Sequence, residues 1–260
     1  MNRWIFFAAV TLIFQQLTAA DAALILSKDK ATVVKCSPGA ERVIIPDGVK
    51  NIGKEAFLRC RKLVSVTIPE SVENIGDWAF YGCSELKEID IPDNVKNIGR
   101  SAFMQCSSLR SVKLGRQLKS VGDWAFCGCK NLTDITLPAS LESVGGGVFV
   151  EVPSVRVAEN NPVLKIDKSG ALLDVKRKIF LYLPANFKGS YTIPTGMTMI
   201  GYYAFAGCRE LTGVTVPAGM GFIDDWVFSG CDRLTVISVP AEMKYFGDYV
   251  IPLGCKVHRP

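Results

Sequence analysis

The chain has 260 residues, of which 48% are hydrophobic and 21% charged. This composition excludes a disordered chain and allows a sizeable buried core. The formal net charge is +5, and no run of like charges concentrates it. We therefore predict no nucleic-acid partner, and no apolar stretch approaches the ~20 residues that a membrane-spanning helix needs.

Residues 1–22 have the features of a secretory signal peptide. Arg3 precedes an apolar run from Trp4 to Phe14, and Ala20 and Ala22 provide small residues at the expected cleavage site. We predict export to the cell surface or the medium, with the periplasm as the alternative compartment. Residues 23–35 then hold two apolar runs around a polar turn, and we expect them to cap the structure that follows.

A period of 23 residues dominates the chain from residue 36 onward. One full unit reads KLVSVTIPESVENIGDWAFYGC, and cysteines recur at the same spacing: Cys60, Cys83, Cys106 and Cys129, then Cys208 and Cys231. Such a period is typical of a solenoid, in which each unit packs only on its neighbours. The units form a first block, residues 36–152, and a second block, residues 190–260, with about eight coils in all.

Each column of the repeat has a structural role. Ile89 and Ile91 alternate with polar residues as in a half-buried strand, and Pro92 marks its end. Ile98 lies in a second short strand, and Phe103 supplies bulk to the core. Because neighbouring strands are about 4.8 Å apart, we predict a solenoid of parallel strands with continuous apolar columns.

The pattern C-x-x-L-x-x-I-x-I-P-x-x-V-x-x-I-G-x-x-A-F recurs over most of residues 36–255. It resembles the BspA-type, or Treponema-type, leucine-rich repeat. The resemblance implies a right-handed superhelix of an exported protein that adheres to host proteins or to other cells. It implies no particular binding residue, because the family motif is structural.

Residues 153–189 break the period. Short apolar runs alternate with turn residues such as Asn160, Pro162 and Gly170, which predicts irregular β-hairpins. We interpret the segment as a structural splice within one continuous solenoid. A dedicated recognition insert is the alternative.

The cysteines form one column of the repeat. Val152 occupies the same position in another coil, so the column accepts a small apolar side chain, and we predict reduced, buried thiols rather than disulfides. Cys127 lies outside this column. The pair Cys127 and Cys129 lacks a second pair or a nearby histidine, so we predict no metal site.

No catalytic constellation is recognisable. The single histidine, His258, is the third residue from the C-terminus, where a well-positioned base with an orienting partner is not expected. We predict that the protein is not an enzyme and binds no cofactor.

Two sets of residues are candidate ligand contacts. Arg110 and Lys113 lie at outward strand positions, although Asp90 stands beside Lys113 in the neighbouring coil and reduces the local charge. The second set is an aromatic column before each Ala-Phe pair: Trp78, Trp124, Tyr203, Trp226 and Tyr249. The same column holds glutamate and serine in other coils, so we expect it not to be fully buried. Trp78 and Trp124, two coils and about 10 Å apart, would then suit a flat glycan or an extended peptide.

The sequence thus favours an exported, monomeric, non-enzymatic adhesion module whose partner is an extracellular protein or glycan. The alternative is a structural or periplasmic scaffold without a dedicated ligand.

Overall fold

The computed structural model describes residues 23–223, 226–243, 245–246 and 251–259. Within these ranges the chain consists of short strands and turns without a helix. It therefore contains, over this part of the chain, no helix that could cross a membrane. The predicted signal peptide lies outside the described residues.

The strands are two to six residues long. In chain order they are β1 (Leu24–Leu26), β2 (Thr32–Cys36), β3 (Arg42–Ile44), β4 (Asn51–Ile52), β5 (Ser65–Thr67), β6 (Asn74–Ile75), β7 (Glu88–Asp90), β8 (Asn97–Ile98), β9 (Ser111–Lys113), β10 (Ser120–Val121), β11 (Asp134–Leu137), β12 (Ser143–Val144), β13 (Arg156–Val157), β14 (Leu164–Ile166), β15 (Leu172–Asp174), β16 (Ile179–Tyr182), β17 (Lys188–Thr192), β18 (Met199–Ile200), β19 (Glu210–Thr215), β20 (Phe222–Ile223), β21 (Val236–Ser238), β22 (Tyr245–Phe246) and β23 (Lys256–His258).

Parallel strands stack in two columns, as the repeat predicts. The short strands form a sheet in the order β2-β4-β6-β8-β10-β12, and β1 pairs antiparallel with β2 at its outer edge. The longer strands form the orders β7-β9-β11-β13 and β17-β19-β21-β23, with β3 paired to β5. Each step in register is one repeat, as in the pairing of Asn51 with Asn74 and of Asn74 with Asn97. The solenoid has about nine turns, close to the eight predicted from the sequence.

Phenylalanine rings form the centre of the core. Neighbouring rings stack with centroid distances of 4.6 Å from Phe57 to Phe80, 5.1 Å from Phe80 to Phe103 and 5.3 Å from Phe103 to Phe126. All of these rings are fully buried. Neighbouring rings of the stack come from successive 23-residue coils, so each coil completes the hydrophobic surface of the next.

The cysteine column lies next to the phenylalanine column. Cys106 is fully buried, and its thiol donates to the carbonyl oxygen of Phe80 at 3.2 Å. Cys129 and Cys231 donate in the same way to Phe103 and Phe205, at 3.2 and 3.0 Å. The column therefore combines small apolar volume with a weak hydrogen bond to the preceding coil.

The segment 153–189 joins the two blocks through an antiparallel meander. β13 extends the sheet of longer strands, β14, β15 and β16 pair antiparallel, and β16 pairs in parallel with β18 of the second block. The buried Asn161 amide donates to the carbonyls of Pro138 and Leu141, and its oxygen accepts from the backbone of Val163 and Leu164. This side chain satisfies four backbone groups where the repeat is interrupted.

The turns between each short strand and the following cysteine form a third side of the solenoid. The segment 153–189 adds no extra turn on this side. The backbone N–H of Gly147, in the first block, donates directly to the carbonyl of Tyr202, in the second block, at 3.0 Å. The column that carries the aromatic residues therefore continues from one block to the next without a gap.

Candidate binding surface

The aromatic column has a left-handed backbone. The φ angles are 53° at Trp78, 55° at Trp124, 59° at Tyr203 and 61° at Trp226. For residues other than glycine this conformation costs about 1–2 kcal/mol. Bonds between coils hold it, since the N–H of Trp78 donates to the carbonyl of Arg100 at 2.8 Å.

The fold does not require an aromatic side chain in this column. The equivalent residues in other coils are Glu55, Ser101 and Gly147, and they share the same positive φ. The rings at the other positions therefore represent a property of this surface beyond the requirements of the repeat.

Two cations lie over the tryptophan rings. The Nζ atom of Lys54 is 5.0 Å from the ring centroid of Trp78, and Cζ of Arg100 is 5.7 Å from the same ring. Cζ of Arg100 is also 4.5 Å from the ring centroid of Trp124. Distances within about 6 Å favour cation–π attraction. The Arg100 guanidinium thus lies between the two indole rings, where the sequence analysis assigned no side chain.

Beyond Trp124 the column continues across the junction of the blocks. Tyr203 meets the Trp124 ring edge-on, with 6.0 Å between ring centroids. Gly147 permits this approach, because a Cβ atom there would lie 2.6 Å from Cδ1 and Nε1 of Trp124. Trp124 is consequently packed between Arg100 on one side and Gly147 with Tyr203 on the other.

We call the side chains of Trp78, Trp124, Tyr203 and Trp226, with Arg100, the aromatic ridge. Trp226 is 44% exposed, and the other three rings are half-buried. The column as a whole is not fully buried, as expected, although Ser101 within it is 3% exposed. Ser101 belongs to the coil between those of Trp78 and Trp124.

Two grooves are lined by residues of the aromatic ridge. The first, which we call the apolar groove, has a volume of about 480 Å³ and is lined by Trp78, Tyr81, Arg100, Ser101, Met104, Trp124, Cys127, Val150 and Tyr203. The second has a volume of about 470 Å³ and is lined by Arg100, Asp123, Trp124, Gly146, Tyr202, Tyr203 and Trp226. Four of the predicted contact residues, Trp78, Trp124, Tyr203 and Trp226, therefore lie on one continuous surface. Tyr249 lies outside the described residues.

Arg110 and Lys113 lie elsewhere, on the face of the longer strands. Lys113 is the register partner of Asp90, as predicted, and it lines grooves that include no residue of the aromatic ridge. Nearby cations are paired: Arg116 Nε lies 2.9 Å from an Asp93 carboxylate oxygen. This face is polar and close to charge balance, and exposed ion pairs of this kind contribute little stability.

Arg100 and Lys54 are site residues that the sequence analysis missed. The signal was an alternation between coils, since Lys54, Asp77, Arg100 and Asp123 share the column immediately before Glu55, Trp78, Ser101 and Trp124. The Asp77 carboxylate accepts the backbone N–H of Arg100 at 2.8 Å. Each aspartate therefore fixes the next coil, whereas each cation lies over a neighbouring indole.

No cluster of three or more potential metal ligands occurs among the described residues. Burial raises the pKa of Cys127 to about 11 and that of Cys231 to about 12. At neutral pH these thiols are protonated, which makes them poor nucleophiles.

The sequence matches the BspA type leucine rich repeat region in six copies, over residues 34–156 and 175–252. A search of curated proteins gives no significant match.

Several solved structures share the fold. The pneumococcal vaccine antigen PcpA superposes with a TM-score of 0.70 at 23% identity, over 86% of this chain and 61% of that one. A leucine rich repeat protein of T. pallidum gives a TM-score of 0.51 at 28% identity, over 81% of this chain and 86% of that one. A leucine-rich repeat protein from Eubacterium ventriosum gives 0.61 at 19% identity, over 90% and 68% of the two chains.

The chain thus spans about three fifths of the PcpA structure. With the repeat model matching most of its length, and parallel coils of the expected spacing, the protein belongs to the BspA type leucine rich repeat family.

Proposed function

We propose that the protein is an exported, non-enzymatic binding module that attaches to a macromolecular partner outside the cell. The aromatic ridge is the contact surface. The observation that carries this proposal is the presence of four aromatic side chains at positions where the same fold accepts glutamate, serine and glycine. Partly exposed aromatic rings beside a groove are frequent anchors of protein interfaces.

The features of residues 1–22 support the export of the chain. The predicted monomer is part of the same proposal. An adhesion role accords with a repeat family whose members present a broad, non-catalytic surface.

The proposal distinguishes two surfaces. Trp78 and Trp124 lie on the ridge, whereas Arg110 and Lys113 lie on the strand face. Burial of ring area on binding contributes more than a screened surface charge. We therefore expect the ridge to determine the affinity for a partner.

A binding screen tests this proposal. The mature chain would be assayed against extracellular-matrix proteins and glycans, followed by the double variants Trp78→Ala with Trp124→Ala and Arg110→Ala with Lys113→Ala. We expect the first pair to lower affinity about tenfold or more, which corresponds to roughly 1.4 kcal/mol. The second pair should have a smaller effect, with both variants folded by circular dichroism.

Two results would contradict the proposal. A larger effect of the Arg110 and Lys113 pair that fades with added salt would move the site to the strand face. The absence of saturable binding to any partner would favour the structural scaffold.

A further inference from the structure

The aromatic ridge contains a cation whose donors are not used within the described part of the protein. Arg100 is exposed, and its side chain contacts there are the two indole rings of Trp78 and Trp124. Its hydrogen bond to Asp77 involves the backbone N–H and not the guanidinium. The guanidinium N–H groups of Arg100 are therefore accessible to solvent.

The arrangement of the cations around the two indole rings indicates which ligand chemistry fits. Lys54 belongs to the coil before Trp78 and Arg100 to the coil after it, and their charged groups lie 5.0 and 5.7 Å from the centroid of that ring. Arg100, Gly147 and Tyr203 all lie close to the Trp124 ring. A sugar ring stacks on an open aromatic face, and these neighbours reduce the indole area left for such stacking.

The edge of a guanidinium has a different preference. Its N–H groups form a planar fork that matches the two oxygens of a carboxylate. The Arg100 side chain lies beside two indole rings and is exposed, so its fork is available for such a charge-assisted bond. The position therefore favours a carboxylate that approaches along the plane of the fork.

The apolar groove supplies the rest of the recognition surface. Arg100 lines it together with half-buried apolar side chains, among them Tyr81, Met104 and Val150. The groove crosses the coils from that of Trp78 to that of Tyr203, and the contacts of Arg100 and Trp124 between them limit the distance between the two outer rings to about 16 Å. An extended peptide of about five residues has this length.

We propose that the apolar groove binds an extended segment of a partner protein in which one aspartate or glutamate pairs with Arg100. Alternate residues of an extended chain point to the same side. Apolar side chains two positions before and after the acidic residue then contact the Tyr81 side and the Tyr203 side of the groove. This inference rests on the proposed function and specifies its ligand.

Selection of peptides from a phage-displayed library of random 12-residue sequences on the immobilised mature chain tests the inference. We expect the enriched sequences to carry an acidic residue with apolar residues two positions away. A selected peptide should bind at least tenfold more weakly when its acidic residue is replaced by the corresponding amide. This comparison leaves the protein unchanged, so it does not depend on the folding of a variant.

Protein variants complete a double-mutant cycle. Arg100→Gln should weaken the selected acidic peptide at least tenfold and leave the amide peptide unaffected, whereas Arg110→Gln, the control on the strand face, should change neither. Arg100→Lys keeps the charge without the fork, and it should give an intermediate affinity. Indole fluorescence of Trp78 and Trp124 provides the binding signal.

Several outcomes would overturn the inference: no saturable peptide, enriched peptides without an acidic residue, or equal binding of the acidic and amide forms. Arg100-dependent binding of heparin or polygalacturonate fragments, in place of peptides, would assign the site to an acidic glycan and also overturn it. A partner that needs Trp78 and Trp124 but not Arg100 would leave the proposed function standing without this inference. A partner that needs neither would overturn both.

Discussion

A buried thiol in this solenoid is both a packing group and a weak donor. The Cys231 side chain is 2% exposed, and its thiol donates to the Phe205 carbonyl. Val152 occupies the same column in another coil without a donor, which indicates that packing is the main contribution. The hydrogen bond alone contributes less, since the Phe205 carbonyl also accepts the backbone N–H of Cys208.

The thiol column makes stability dependent on alkaline pH. Burial raises the pKa of Cys231 to about 12, from the ordinary value of 9.0. A group whose pKa is higher in the folded state stabilises the protein fully below its unfolded pKa, and this contribution is lost as pH rises towards the folded pKa. We therefore expect the free energy of unfolding to fall as pH rises above about 9.

Chemical denaturation between pH 7 and 11 measures this dependence. Cys231→Val should reduce the slope above pH 9 by up to about 1.4 kcal/mol per pH unit, the value for one proton. An unchanged slope would show that this thiol does not titrate on unfolding.

Alkylation of the unreduced, denatured protein should find nine free cysteines, and four disulfides would contradict the reduced column.

Residue-level prediction from the sequence succeeded where a column has one environment in every coil. Phe103 and Cys106 have the same neighbours as their equivalents, so the repeat alone shows that they are buried. It failed where a side chain is defined by a different residue in the next coil. Ser101 is buried whereas Glu55 in the same column is exposed, and Arg100 contacts Trp78 and Trp124 of the neighbouring coils.

At the scale of the element, the stacked phenylalanines hold the coils together. Phe103 is fully buried and stacks on Phe80 and Phe126 at 5.1 and 5.3 Å. We expect Phe103→Ala to lower the free energy of unfolding by about 3–5 kcal/mol, because it leaves a cavity between two rings. Urea unfolding followed by circular dichroism measures the change.

Leu58→Ala provides the control in an equivalent turn. Leu58 is 38% exposed, so its truncation should cost less than about 1 kcal/mol. Equal losses for the two variants would show that the ring stack does not dominate the stability of the coil.

The strands themselves were predictable because their alternation of apolar and polar residues is local. The connection in the segment 153–189 was only partly so. Its β-hairpins follow from turn residues, but the bond between Gly147 and Tyr202 joins positions 55 apart. Between the blocks the chain adds a turn on the strand sides and none on the side that carries the aromatic column. No periodic signal in the sequence indicates this difference, because the segment occurs only once.

At the scale of the whole molecule, the interruption determines whether the two blocks behave as one unit. Buried side chains form one cluster that ends at Tyr182 and a second that begins at Ala171, so the clusters overlap along the chain at the meander. The Tyr182 hydroxyl donates to the carbonyl of Val152 at 2.5 Å, and its ring meets Phe149 edge-on at 5.8 Å between centroids. These contacts couple the first block to the segment that pairs with the second.

We expect a single cooperative transition on heating, because neighbouring coils of a solenoid stabilise one another through their interfaces. Tryptophan fluorescence can report each block within the mature chain. Trp226→Phe leaves reporters in the first block, and Trp78→Phe with Trp124→Phe leaves one in the second. The two variants should show coincident midpoints once the shift caused by each substitution is corrected by circular dichroism.

Tyr182→Phe tests whether the junction carries this coupling. The substitution keeps the ring against Phe149 but leaves the buried Val152 carbonyl without its hydroxyl donor, at a cost of about 1–3 kcal/mol. If the junction transmits cooperativity between the blocks, this substitution should weaken that cooperativity. The midpoints reported by the two blocks should then separate in this variant and not in the parent. If the parent already shows two separated transitions, the blocks are independent domains, and the continuous solenoid that the repeat predicts is wrong for this protein.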